Sequence, residues 1–312
     1  MKLALGTVQF GMNYGISNFV GQVPPEEIKK ILKLAAENDI DLLDTAAAYG
    51  ESESVLGECL TDSDHFKLVS KLPAFKNPHF TQADIGLINQ GFQESLRKLR
   101  VNHLYGLMLH NADDLLKPGA EFLYQYLLDL QNQGLVKKIG VSVYYPEQVE
   151  KLLEFYQFDL IQLPMNLFDQ RFYRQGILEK LKKLNIEIHV RSVLLQGLLM
   201  MPLDKIPEKL NLAKPYLKNL DALVSPLLGE TGLRATPKDR EGARLSLLLE
   251  FIKQTQQVDY AVLGVTSADE LKLIIEAFNF FGAENKIQDK AKIDWSKFSI
   301  EDESLIVPAR WN

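Results

Sequence analysis

Four side chains in this sequence have the types and spacing of a proton-transfer group. Asp44, Tyr49, Lys71 and His110 follow short apolar runs in LLDTAAAYGESES, LVSKLP and YGLMLHNADD. A carboxylate, a phenol, an ammonium and an imidazole drawn to one point suit proton donation to a carbonyl oxygen. Tyrosine, with an unperturbed pKa near ~10, is a poor acid at neutral pH, and a neighbouring ammonium favours its phenolate and lowers that value. Lys71 is the ammonium at hand, and Asp44 would keep it charged where burial would otherwise strip its proton. His110 would share the carbonyl oxygen with Tyr49, orienting the substrate or relaying a proton. Such a group stabilises a developing alkoxide, the charge that hydride transfer to a carbonyl creates. Taken singly, each residue has a plain structural reading: Asp44 as a cap, Tyr49 as a packed loop aromatic, Lys71 as a solvated surface group, His110 as a hydrogen-bonded wall residue. Their conjunction at successive strand ends is what favours catalysis.

The elements that must position them alternate along the chain. Short apolar runs at 3–8, 41–44, 67–72, 103–109, 138–143, 159–163, 187–191 and 260–264 read as strands. Between them lie helical patterns with apolar residues every three or four positions, among them PPEEIKKILKLAAEND, TQADIGLINQGFQESLRKLR, EFLYQYLLDLQNQG and QGILEKLKKLN. Pro24 and Pro25 ahead of Glu26 and Glu27, Thr81 as an N-cap and Gly134 as a closing glycine mark their ends. Eight such units imply parallel strands joined by right-handed crossovers, closing into a (β/α)8 barrel. An open doubly wound sheet would carry a G-x-G-x-x-G turn after its first strand, and Gly6, Gly11 and Gly15 lack that spacing. In a barrel the reacting groups stand at the C-terminal strand ends, where Asp44, Lys71 and His110 fall. One barrel domain over 1–312 is expected, with an extended segment at 194–242 and a C-terminal tail at 283–312.

Composition narrows the partners. Lys and Arg number 35 against 41 Asp and Glu, a net charge of −6 without a like-charged block, which argues against nucleic acid or a membrane surface and for a small molecule. The lone Cys59 excludes an intramolecular disulfide framework, fits the cytoplasm, and reads as a small buried hydrophobe. MKLALGTVQFG is too broken by Gly6, Thr7 and Gln9 to be a signal or anchor, and no run approaches the ~18 apolar residues of a membrane span. His65, His79, His103 and His189 lack metal-ligand spacing, so no metal is expected. Trp295 and Trp311 in the tail either cover the barrel mouth or dock against a helix. The pair Tyr144 and Tyr145 either packs or touches substrate.

The ordered motifs GTVQFG, DTAAAYGESESVLG, VSKLP, LMLHNADD, IGVSVYYPEQVEKLL, IQLPMNLFD, VRSVLLQGLL and VLGVTSADEL resemble those of the aldo-keto reductase family over nearly the whole chain. The resemblance implies a barrel enzyme that reduces aldehydes or ketones, or runs in reverse, with NADP (NADPH) as usual cofactor and NAD (NADH) as the alternative. It assigns Asp44, Tyr49, Lys71 and His110 as the catalytic tetrad, with Tyr49 the general acid. It implies cofactor contacts at Gly6 and Thr7, at Ser142 and Gln162 for the nicotinamide carboxamide, at Arg191 against the nicotinamide ring, and along the pyrophosphate in the segment Ser192 to Leu198, with Ser192, Leu195, Gly197 and Leu198. Gly264, Thr266, Ser267 and Lys272 would meet the adenosine end. Three positions depart from the family pattern: Val143 stands where an amide is usual, Arg191 where an aromatic stacks on the nicotinamide, and Asp269 and Glu270 near the usual basic grip on a 2′-phosphate. The GTVQFGMNYGISN opening and VRSVLLQGLL look closest to bacterial relatives with sugar and surface-polysaccharide functions, which implies a sugar or sugar-derived carbonyl substrate. Gln9, Asn13, Tyr14, Asn111 and Asn166 are the polar candidates to meet it. Two rivals remain at this level: a cofactor-binding regulatory subunit with little turnover, and a barrel lyase using Lys71 as a Schiff-base amine.

Overall fold

In a computed structural model that describes residues 1–60, 65–228, 236–280 and 293–311, the alternating pattern closes on itself. Strands β1 (Lys2–Gly6), β2 (Leu42–Asp44), β3 (Lys67–Leu72), β4 (Leu104–Leu109), β5 (Val136–Ser142), β6 (Leu160–Pro164), β7 (Glu187–Arg191) and β8 (Tyr260–Gly264) pair in parallel and in order, and β8 pairs back onto β1. The helices that follow them are α1 (Pro25–Glu37), α2 (Ser52–Cys59), α3 (Gln82–Leu99), α4 (Ala120–Asn132), α5 (Pro146–Leu153), α6 (Ile177–Lys183), then α7 (Lys214–Leu227) and α8 (Pro237–Gln254) after β7, and α9 (Ala268–Phe280) after β8. This is a (β/α)8 barrel.

Period two along each strand divides the core. Ala4, Leu42, Val69, Met108, Leu160, Tyr260 and Val262 fill the barrel interior. Leu3, Leu5, Leu43 and Leu68 point the other way, into the larger core under the helices. In α1 the pattern buries Ile28, Ile31, Leu32 and Ala35, and the helix opens on Pro25 with Glu26 and Glu27 complementing its positive end. The Thr81 N–H donates to Asp84 Oδ2 at 2.8 Å at the start of α3. Gly134, at φ +72°, ends α4 and lets the Leu135 N–H reach the Leu130 carbonyl at 3.0 Å.

Several boundaries differ from the sequence expectation by one or two residues, and two of them have a plain local cause. The first strand stops at Gly6 rather than running to residue 8, and Val8–Gly11 makes a helical turn. Thr7 is the cause: its hydroxyl donates to the Asp44 carbonyl at 3.1 Å and meets Ser52 Oγ at 2.9 Å, which tucks the chain inward. The QGILEKLKKLN helix begins only at Ile177, because Gly176 takes φ +72°.

The N-terminal face of the barrel is closed by charge. Glu187 accepts from Lys138 Nζ at 2.7 Å and from the Tyr105 hydroxyl at 2.9 Å, and lies 2.8 Å from His189 Nε2. Burial alone would push the Glu187 carboxyl up, but His189, Lys138 and Tyr105 together hold it down to about 2.

Of the 194–242 segment, whose residues 229–235 lie outside the described ones, Leu198, Leu210, Leu217 and Leu220 are buried in the core while Leu212 is exposed. The tail expectation falls partly on 283–292 and 312, outside the described residues. Its described part docks against the barrel flank: the Ile300 N–H donates to the Phe168 carbonyl at 2.8 Å, the Trp295 indole donates to Gln254 Oε1 of α8 at 2.8 Å, and Lys209 bonds the Trp311 carbonyl. Cys59 is buried at the end of α2. No helix among the described residues is long and apolar enough to cross a membrane.

Candidate active site

The C-terminal strand ends surround a cavity of about 430 Å³. At its floor β2 and β3 bring Asp44 and Lys71 together, with Lys71 Nζ 2.6 Å from Asp44 Oδ2. Lys71 is 1 % exposed, and its ammonium also donates to the Thr45 carbonyl at 3.1 Å. Tyr49, in the loop after β2, sets its hydroxyl 3.4 Å from the same ammonium. Burial works against the Lys71 charge, yet Asp44 and Tyr49 outweigh it and hold the group above its ordinary range. Lys71 is therefore a fixed ammonium beneath the cavity and not among the side chains lining it. That is the opposite of the free amine a Schiff-base lyase requires.

His110, at the end of β4, stands edge-on to Tyr49 with ring centroids 5.6 Å apart. Burial, then Lys71 and Arg191, push its imidazole down to about 4, so it is neutral at neutral pH. All four predicted catalytic residues are thus assembled.

On the opposite wall Gln162 Nε2 donates to Asp44 Oδ1 at 2.8 Å. This orients the amide and leaves Gln162 Oε1 buried without a partner among the described residues. Ser142, paired in register with Gln162, lines the cavity beside it. Val143 turns its side chain into the core, and its carbonyl accepts from Arg191 Nη2 at 3.0 Å. The Arg191 guanidinium lies over the Tyr144 ring, 4.2 Å from its centroid.

Toward β8 the cavity is lined by Gly6, Thr7, Gln9, Gly264 and Thr266. A Cβ on Gly264 would come within 2.4 Å of Gln9 Oε1, so only glycine leaves that side chain its place. Glu270 accepts from the Thr266 N–H at 2.7 Å and its hydroxyl at 3.0 Å. The loops after β1 and β7 meet here. Gln196 Nε2 donates to the Tyr14 hydroxyl at 3.1 Å, and Ser17 Oγ donates to the Gln196 carbonyl at 3.4 Å. Gly197 has φ +90°, and a Cβ there would come 1.8 Å from Ser17 Oγ.

Several expected contacts point elsewhere. Leu195 and Leu198 are fully buried in the core. Ser267 caps α9 by accepting the Glu270 N–H at 3.1 Å, and Lys272 lies exposed on that helix. Asn13 is exposed outside the cavity. Asn111 spends its side chain on the Asp113 N–H and on Asp114. Asn166 is buried, accepting from the Phe168 and Asp169 N–H groups and donating to the Ser192 carbonyl at 3.0 Å, so it braces the loop that carries Ser192. Sequence reasoning missed Met12, Ser17 and Asn18, and reached Gln196 only as part of the Ser192 to Leu198 segment; all four line the cavity. Their signal was position alone, since they follow β1 and β7 on the face where barrel loops carry function.

The aldo/keto reductase family profile matches residues 2–294, and the chain belongs to that family. It is an NAD(P)H-dependent oxidoreductase acting on carbonyl compounds. Among curated relatives, the aldo-keto reductase YhdN of Bacillus subtilis is 27 % identical over 259 residues, covering 78 % of this chain and 76 % of that one. The NAD(P)H-dependent 6′-deoxychalcone synthase of Glycine max is 25 % identical, covering 71 % of this chain and 75 % of its own. Among solved structures, a holo aldo-keto reductase from Bacillus halodurans shares the fold with a TM-score of 0.68 at 19 % identity, over 96 % of this chain and 92 % of that one. A glycerol dehydrogenase from Gluconobacter oxydans also reaches 0.68, at 20 % identity, over 98 % and 92 %.

Proposed function

We propose that Tyr49 exchanges a proton with the oxygen of a small carbonyl substrate while a nicotinamide cofactor occupies the arc of the cavity from Ser142 and Gln162 to Thr266. The observation that carries the reading is the Lys71 ammonium, locked by Asp44 at 2.6 Å and standing 3.4 Å from the Tyr49 hydroxyl. A bound reduced nicotinamide supplies a hydride to the carbonyl carbon. The residues present suit such a group. Gln162 Oε1 is a buried acceptor without a partner, fit for the NH2 of a carboxamide beside Ser142. Gly6, Thr7, Ser192 and Gly197 offer the close backbone approach that phosphates need.

As negative charge gathers on the substrate oxygen, Lys71 favours the phenolate that Tyr49 becomes on giving up its proton. Asp44 keeps Lys71 charged through the cycle. His110, neutral, donates a hydrogen bond to the same oxygen without bringing a second full charge into the site. In the alcohol-to-carbonyl direction Tyr49 takes the proton back.

NADPH is the family's usual cofactor, but at the adenosine end Glu270 already fills the Thr266 cradle with a carboxylate. That negative charge would oppose a 2′-phosphate, which favours NADH. The single buried thiol of Cys59 accords with a cytoplasmic location. A sugar or sugar-derived aldehyde remains the substrate class that the motifs suggest.

Replacement of Tyr49 by Phe tests the reading. Aldehyde reduction should fall by about 10³-fold, while titration of cofactor fluorescence should still report binding of NADH. A Tyr49→Phe enzyme retaining most of its turnover would remove the proposal, as would covalent trapping of substrate on Lys71 by borohydride.

A further inference from the structure

Several buried or half-buried cations in this protein are matched with carboxylates, while Lys253 rests on the Phe278 carbonyl and ring. Lys71 has Asp44, Lys117 has Asp114, Lys138 has Glu187, Arg171 has Asp169 and Arg244 has Asp221. Arg191 is set apart by its place in the cavity wall. It is half-buried, it is the one lysine or arginine among the described residues lining the cavity, and no described carboxylate pairs with it. Its polar partners are the Val143 carbonyl at 3.0 Å and the Ser192 hydroxyl at 3.4 Å. Stacking on Tyr144 fixes the guanidinium plane. A guanidinium has five N–H donors, these contacts occupy two, and no Arg191 nitrogen is buried without a partner, so donors remain for a ligand in the cavity that the residue lines. The carboxylates that line the cavity are both engaged: Asp44 by Lys71 and Gln162, Glu270 by Thr266.

We infer that the natural substrate carries an oxyanion, a carboxylate or a phosphate, beside its carbonyl, and that Arg191 grips it while the carbonyl faces Tyr49 and His110. The inference rests on the proposed role of Tyr49, and it moves Arg191 from the cofactor contact that the family resemblance implies to the substrate. A planar fork held by one carbonyl and one aromatic face is pre-organised for two-pronged capture of an oxyanion. His110 does not supply the missing charge, since its imidazole is neutral above about 4 and the Arg191 cation is itself among the causes. The charge of Arg191 also reaches Tyr14, on the opposite loop. An oxyanion bound there would turn an electrostatic burden on the site into a specificity contact.

The test uses matched aldehydes with the full chain and NADH: 4-carboxybenzaldehyde against benzaldehyde, and glyceraldehyde 3-phosphate against glyceraldehyde. One pair should show a preference in kcat/KM for the charged member of about 30-fold or more, and which pair does so tells carboxylate from phosphate. In Arg191→Gln that ratio should collapse to within about threefold of unity, and Arg191→Lys should keep part of it. The ratio is independent of how far total turnover falls. Should Arg191→Gln not turn over at all, calorimetric binding of 4-carboxybenzyl alcohol or glycerol 3-phosphate to the NAD-loaded protein, against benzyl alcohol or glycerol, reads the same discrimination. No preference in either pair, or a preference that survives Arg191→Gln, would overturn the inference. So would a variant that loses affinity for NADH itself while the ratio stands, because the guanidinium would then serve the cofactor phosphates. Turnover by Tyr49→Phe would instead strike the underlying reading and leave the discrimination ratio measurable.

Discussion

The side-chain amide of Gln162 donates to the carboxylate of Asp44 at 2.8 Å, across 118 residues of sequence. Through that contact one carboxylate both fixes the Lys71 ammonium and holds the Gln162 amide with its acceptor oxygen buried and unpartnered among the described residues. The proposed catalytic cation and the proposed carboxamide site are therefore set by one group, and a change at Asp44 should be felt at both.

Asp44→Asn leaves Lys71 buried without a counter-charge. Removing one partner of a buried pair costs about 3 kcal/mol or more, so urea unfolding should shift to lower denaturant. Activity should fall about 100-fold or more, and cofactor affinity should weaken as well, because the Gln162 amide is no longer held in one sense. A variant with weakened stability but intact turnover would show that Lys71 acts without Asp44.

The His110 imidazole, held down to about 4 by burial and by the neighbouring cations, sets a pH expectation. Over pH 5 to 8 it stays neutral in the folded protein, so kcat/KM should show no step at the ordinary histidine value near ~6.5. Stability behaves differently. The unfolded chain binds this proton as the pH drops below its ordinary value while the folded chain refuses it until about 4, so stability attributable to His110 is full above that window and declines through it. Imidazole resonances followed by NMR titration would check the value directly.

Glu187 at the far end of the barrel gives a second, separable acid limb. Its folded value of about 2 lies below its unfolded one, so its contribution is present above about 4.5 and disappears as pH falls toward 2. Glu187→Gln should lower stability at neutral pH by on the order of 2 kcal/mol and flatten the unfolding free energy over that range. Because Glu187 stands at the opposite end of the strands from Tyr49, the variant's pH–activity profile should match the parent's.

Gly197 and Ser17 should be coupled. A Cβ at 197 would come 1.8 Å from Ser17 Oγ and 2.6 Å from Ser17 Cβ, and φ +90° penalises any side chain by about 1 kcal/mol. Gly197→Ala should weaken cofactor binding. Ser17→Gly introduced on top should recover the steric part and leave the conformational part, giving a double-mutant coupling of about 1 kcal/mol. Strict additivity would mean that the two loops do not touch in solution.

The strands were legible because parallel barrel strands are covered on both faces and read as compact apolar runs, each ending where a helix pattern begins. That alone put Asp44, Lys71 and His110 on one rim. What could not be read was where polar loop side chains point. Asn111, Asn166 and Ser267 look available in the sequence, yet each satisfies backbone groups of its own turn, which short polar side chains do readily. The loop after β7 hid its direction for a different reason. Ser192, Leu195 and Gln196 all adopt positive φ, at 59°, 50° and 53°, without the glycine that would announce it. That twist sends Leu195 and Leu198 inward and leaves Gln196 facing Tyr14.

In the closed order β8 stands between β7 and β1. The contact of Gln196 with Tyr14 and Ser17 therefore forms an arch across the end of β8, above Gly264 and Thr266. An elongated ligand reaching from Gln162 to Thr266, as proposed for the cofactor, would be threaded beneath it and held against leaving sideways. Residence time at this site should therefore depend on a pair of weak loop hydrogen bonds rather than on the proton-transfer group, so that Gln196→Ala should speed release of NADH in stopped-flow fluorescence.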